Sequence, residues 1–101
     1  MKIRLIPEAV KDYKSLDGSI KKMVNEQIEK LKENPFAGEA LGNKNNIDLT
    51  GFYKIYLVKK SYRIVYRIVK NEIEIIEIWG IGKRDKMEIY KNIEKRISDR
   101  K

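Results

Sequence analysis

FYKIYLVKKSYRIVYRIV, residues 52–69, encodes two strands joined by a tight turn. Successive side chains of a strand point to opposite sides of the sheet. In Phe52–Val58, Tyr53, Ile55 and Leu57 therefore share one face, and Lys54 and Tyr56 share the other. In Tyr62–Val69 the apolar set is Tyr62, Ile64, Tyr66 and Ile68, so Arg63 and Arg67 point the opposite way with Val65 between them. Lys59-Lys60 marks the turn. If the two apolar faces coincide, Lys54, Tyr56, Arg63 and Arg67 line a single exposed sheet face. A cationic face with interleaved tyrosines suits phosphate binding and base stacking. The plainer alternative is a solvated face whose Lys and Arg keep an antiparallel sheet soluble.

Working outward, a third strand spans Glu72–Ile81 after a turn at Lys70-Asn71 and runs into Trp79-Gly80-Ile81-Gly82-Lys83-Arg84. A helix from about Asp85 to Ser98 follows, with Ile89, Ile93 and Ile97 on one stripe and Tyr90 at its edge. This sets the cations Lys83 and Arg84 and an aromatic ring beside one sheet edge; a solvated strand end and a core tyrosine are the alternative. Toward the N-terminus, Lys2–Ile6 alternates as a half-buried strand, and Pro7 is suited to the first turn of a helix carrying Ala9, Val10, Tyr13 and Leu16. Asp17-Gly18 breaks that helix, Asp17 caps the next, and Ile20, Val24, Ile28 and Leu31 form its apolar stripe. Asn34-Pro35 stops it, because the residue before a proline is pushed out of the helical region. Phe36–Thr50, rich in Gly, Asn and Lys, is expected to be an irregular and mobile connection. The order is β-α-α-β-β-β-α: one α+β domain over residues 1–101, a mostly antiparallel sheet with helices packed on one face.

Composition restricts the chemistry. The chain has 101 residues, 42% of them hydrophobic, enough for one modest core. Its net charge of +8 favours a polyanionic or acidic partner. With neither Cys nor His, it has no disulfide, zinc–thiolate site, cysteine nucleophile or histidine base. No metal and no cofactor are expected; lysine, arginine, tyrosine and carboxylates must carry any chemistry. The apolar runs are too short to span a membrane, and Met1-Lys-Ile-Arg-Leu5 leads into a strand without a signal-peptide core, which points to a cytoplasmic protein.

The runs Gly51-Phe-Tyr-Lys-Ile-Tyr-Leu57, Ser61-Tyr-Arg-Ile-Val-Tyr-Arg-Ile68 and Ile78-Trp-Gly-Ile-Gly-Lys-Arg-Asp-Lys-Met-Glu-Ile-Tyr90 resemble the RelE/ParE toxin superfamily, its RelE-like branch in particular. Element order and length match from end to end, and the motifs cover roughly the C-terminal half. The resemblance implies the toxin of a type II toxin–antitoxin system: a ribosome-dependent endoribonuclease, or mRNA interferase, cutting mRNA in the decoding site and silenced by an acidic, RelB-like antitoxin. It places Lys54 at a catalytic lysine, Arg63 and Arg84 at phosphate-contacting or catalytic arginines, and Tyr90 at a base-stacking tyrosine. Tyr56 stands where some relatives carry a second lysine.

RNA supplies its own nucleophile, the 2′-hydroxyl, so the protein need only move protons and stabilise the phosphorane, with no metal required. The planar donors of Arg63 and Arg84 suit that charge. Lys54 is the candidate base, on the ground that neighbouring like charges favour its free amine. Tyr56, Lys59, Lys60, Arg67 and Lys83 are expected to bind RNA, and Ile89, Ile93 and Ile97 to meet the antitoxin, with core packing as the alternative for that stripe. Two other classes stay open: a ParE-like gyrase inhibitor, and a non-catalytic RNA-binding or regulatory module.

Overall fold

The computed structural model describes residues 2–44, 46–57, 59, 61–70, 74–83 and 88–100. Strand β1 (Lys2–Leu5) leads into helices α1 (Pro7–Lys14) and α2 (Gly18–Glu33). Strands β2 (Glu39–Lys44), β3 (Ile47–Leu57), β4 (Tyr62–Lys70) and β5 (Glu74–Lys83) follow, and helix α3 (Glu88–Ser98) comes last. The strands form one sheet in the order β1-β5-β4-β3-β2. Only the β1–β5 pair is parallel; the others are antiparallel.

The local signals act as expected at both ends of α2. Asp17 accepts the Ile20 N–H at 3.0 Å and so satisfies one of the helix's free donors, and the helix stops before Asn34-Pro35. Ile20, Val24 and Leu31 are buried. The segment 36–50 differs from expectation. It contains β2 and the first residues of β3, with Leu41, Ile47 and Leu49 in the core. Gly51, at φ +90, sits where the β2–β3 register jumps, so the buried set shifts from Ile47 and Leu49 to Phe52 and Lys54. That change of phase interrupts the period-2 pattern.

The helices lie on both faces of the sheet, not on one. Lys54 opposes Val65 and Tyr56 opposes Arg63, while Val65 and Arg63 oppose Gly80 and Gly82. These residues share a face, and α3 rides directly on it. A Cβ on Gly80 would stand 2.7 Å from Ile93 Cδ1, and one on Gly82 3.0 Å from Ile89 Cδ1. Tyr66 faces the other way: its hydroxyl accepts the Gly38 N–H at 3.0 Å and donates to the Pro35 carbonyl at 2.9 Å, which places the end of α2 on that opposite side. The central strands require this arrangement. Ile64, Val65 and Tyr66 are consecutive and fully buried, so β4 is apolar on both faces and needs cover on both.

The Tyr66 clasp leaves no room at Gly38, where an added Cβ would meet Tyr66 Oη at 2.5 Å and the Lys54 carbonyl at 2.6 Å. Gly38→Ala should therefore cost about 1–3 kcal/mol, the scale of overpacking, because a strand backbone must shift. Gly18→Ala, which meets nothing within 4 Å, should not. Denaturant unfolding midpoints of the two variants check this.

Candidate active site

The register of β3 and β4 brings Lys54, Tyr56 and Arg63 together, and α3 adds Tyr90 from above. The face is shared as expected but is not exposed at its centre. Lys54 is 8% exposed, Arg63 7% and Tyr90 2%, because α3 packs its Tyr90 side down onto this face. The guanidinium of Arg63 lies between two rings, its Cζ 5.2 Å from the Tyr56 centroid and 4.9 Å from that of Tyr90. Its Nη1 donates to the Tyr90 hydroxyl. Its Nε is buried without a hydrogen-bond partner among the described residues. A buried unpaired donor on a cation is costly, and an anion that reached it would satisfy it.

Lys54 Nζ donates to the Tyr56 oxygen at 2.7 Å and stands 3.7 Å from Glu39 Oε2 on the neighbouring strand β2. Burial works against its charge, yet the hydrogen bond to Tyr56 and the nearby Tyr90, Tyr56 and Glu39 oxygens outweigh it, and the pKa of Lys54 is raised. This corrects the expected free amine. Among the described residues, the groups that raise it are the oxygens of Tyr56, Tyr90 and Glu39, which favour its charged form and suit it to donating a proton or stabilising an anion.

Tyr90 is likewise placed differently from a base-stacking residue, since its ring covers Arg63 and must leave this position to stack on a nucleobase. Arg67 shares the face but belongs to a second cluster. Its Nε donates to Glu77 at 2.7 Å, and its Cζ lies 4.8 Å from the Trp79 ring. Glu77 is 5% exposed and also accepts from Arg4 and from Trp79 Nε1. Burial opposes its charge, but these donors prevail and lower its pKa. Lys59 is exposed in the turn after β3. Lys83 is exposed and pairs with Tyr62, one step off the register that carries Arg63 and Gly82. Arg84, Lys60 and the expected helix start at 85–87 lie outside the described residues. Ile89 and Ile93 are buried against Gly80 and Gly82, and Ile97 is half-buried. Ile89 and Ile93 are thus core, and a partner could reach these two only by displacing α3.

Three residues without a local signal complete the site. Glu39 comes from the segment expected to be irregular. Asp12 on α1 accepts the Ile81 N–H at 3.1 Å and both Nη atoms of Arg96, at 2.8 and 3.1 Å, while Arg96 Nη1 also donates to the Trp79 carbonyl at 2.8 Å. This clip ties α1, β5 and α3 together and thereby fixes Tyr90 over Arg63.

The family match defines a class, the toxins of type II toxin–antitoxin systems. More narrowly, the chain belongs to the family of the ParE toxin of the type II toxin–antitoxin system parDE, matched over residues 3–88. It is similar to the mRNA interferase toxin RelE of Escherichia coli K12, at 27% identity over 89 residues, 88% of each chain. Its fold matches a free double arginine-to-alanine mutant of E. coli RelE with a TM-score of 0.74, at 23% identity over 95% of this chain and 96% of that one. It also matches the intact E. coli RelBE toxin–antitoxin complex with a TM-score of 0.69, at 20% identity over 84% of this chain and 98% of that one. RelE-like architecture is thereby established. No helix among the described residues is long and apolar enough to cross a membrane.

Proposed function

We propose that this toxin is a ribosome-dependent endoribonuclease that cuts mRNA in the decoding site, works in the cytoplasm without a metal, and is held inactive by an acidic, RelB-like antitoxin. The observation that carries this reading is the buried Arg63 guanidinium, set against the Tyr56 and Tyr90 rings beside the Lys54 ammonium, with one donor that has no partner among the described residues. That is a site built for a phosphate rather than for a neutral ligand. The likeness to an mRNA interferase supports the same reaction class.

Attack of the 2′-hydroxyl on phosphorus builds negative charge on the phosphorane. Arg63, Lys54 and, by resemblance, Arg84 stabilise that charge more strongly than they do the ground state. The ribosome holds the RNA so that the 2′-oxygen, phosphorus and 5′-oxygen align, which supplies much of the barrier reduction. The exposed lysines Lys59 and Lys83, joined on the sequence expectation by Lys60, attract backbone phosphates in every state. An acidic antitoxin complements the +8 charge and keeps the domain off RNA.

The family's ParE name favours one second reading, gyrase inhibition. Controlled expression in cells separates the two. We expect translation to stop with mRNAs cut inside open reading frames, and co-expression of an acidic, RelB-like antitoxin to reverse it. DNA cleavage by gyrase with intact mRNAs would establish the second reading instead.

A further inference from the structure

We propose that Glu39 is the general base that takes the proton from the attacking 2′-hydroxyl. The inference rests on the nuclease reading above and supplies a proton acceptor where the raised pKa of Lys54 favours its charged form. Glu39 opens β2 and is the register partner of Lys54, so the two side chains share the face that carries Tyr56 and Arg63. Its Oε2 lies 3.7 Å from Lys54 Nζ, an ion pair longer than a hydrogen bond, and 72% of its side chain is exposed. Lys54 and Arg63 are buried, whereas Glu39 meets solvent at the edge of the cluster. A phosphodiester held by these two cations brings its ribose beside the Lys54 ammonium, and a carboxylate standing against that ammonium is placed to accept the 2′-hydroxyl proton. The ammonium they share offsets the repulsion between carboxylate and phosphate. Other acceptors are few, because the chain has no histidine or cysteine. Glu77 accepts from Arg4, Arg67 and Trp79, and Asp12 from Arg96 and the Ile81 N–H, so both carboxylates are committed. Among the described residues Glu39 has Lys54 as its one charged partner, which leaves its oxygens capacity to accept a proton.

The step balances. The 2′-oxygen gives its proton to Glu39 and bonds to phosphorus, and the bond from phosphorus to the 5′-oxygen breaks, giving a 2′,3′-cyclic phosphate and a 5′-hydroxyl. The 5′-oxygen leaves with a proton from water, and the hydroxide so formed takes the proton back from Glu39.

The test is single-turnover cleavage of a defined mRNA on ribosomes saturated with the protein, measured from about pH 6 to about pH 8, a range in which ordinary carboxylates stay ionised. The side chains gathered around Glu39 are Lys54 and Tyr56 on β3, Arg63 on β4 and Tyr90 on α3, all of residue types that ordinarily titrate above this range. The wild-type rate should therefore change little with pH. Glu39→Gln, which keeps the side chain's shape, should cleave about 10²–10⁴-fold more slowly at about pH 7, the scale of general base catalysis. Its residual rate should climb about tenfold per pH unit, because hydroxide must then take the proton. Glu29→Gln, which removes an exposed carboxylate from α2, should match the wild type at every pH. Wild-type cleavage by Glu39→Gln overturns the proposal, and so does a loss by the same factor at every pH, the pattern expected of a mere counterion to Lys54. A matching loss in Glu29→Gln would reduce the effect to net charge and overturn it as well. Failure of the wild type to cut mRNA on ribosomes instead refutes the nuclease reading, and the proposal falls with it.

Discussion

Arg63→Ala should lower single-turnover cleavage of ribosome-bound mRNA by about 10²–10³-fold, the cost of losing one preorganised donor to a developing oxyanion. Ribosome affinity should stay largely unchanged. The guanidinium is buried, clamped between the Tyr56 and Tyr90 rings and fixed by its bond to the Tyr90 hydroxyl, so its orientation costs nothing at the moment of reaction. Affinity comes instead from exposed lysines such as Lys59 and Lys83, which meet phosphates whatever the state of the scissile bond. Arg63→Lys should restore little, since an ammonium lacks the planar fork and the stacking surface. Cleavage rates and ribosome binding measured side by side, with an unfolding curve for each variant, check the prediction. Equal losses of affinity and rate would make Arg63 a binding residue only.

Asp12→Ala should destabilise the fold by about 3 kcal/mol, the lower end of the range for breaking a buried ion pair, because the pair retains some exposure (21% of the Asp12 side chain and 13% of that of Arg96). For a domain of this size that is a fall in melting temperature of more than about 10 °C. The substitution leaves the Ile81 N–H and part of the Arg96 guanidinium without their carboxylate. Removing Arg96 as well should recover part of the loss, since the two residues are directly coupled. Denaturant unfolding of the two single variants and the double variant measures that coupling. Cleavage should fall in Asp12→Ala too, because Tyr90 is carried by the helix this clip anchors.

Much of the site was legible because strands encode it by parity. Lys54, Tyr56, Arg63 and Arg67 alternate with apolar neighbours, and the observed register sets them on one face as the alternation required. Asp17 and Asn34-Pro35 bound α2 by local chemistry. Elsewhere the information was not local. Strand β2 was hidden by Gly42 and by the phase change at Gly51, which break the alternation that announces a strand. The burial of Lys54 and Arg63 depends on α3, whose Tyr90 lies 27 positions from Arg63. Asp12 and Arg96 are separated by 84 positions and looked like ordinary surface charges. The protonation of Lys54 followed from the same gap, since a strand pattern shows which cations are near but not which oxygens pack against them. Parity identifies a face, whereas the cover placed over it decides what its charged groups can do.

The central claim, that the Lys54–Tyr56–Arg63–Tyr90 cluster cuts RNA on the ribosome, is tested most directly by incubating the purified protein with ribosomes stalled on a defined mRNA, and separately with that mRNA alone, then sequencing the 3′ ends. We expect a single cut within the decoding-site codon, bearing a 2′,3′-cyclic phosphate, formed only on the ribosome and lost in Arg63→Ala. An intact mRNA on wild-type-treated ribosomes, or an identical cut made by Arg63→Ala at the wild-type rate, would contradict it.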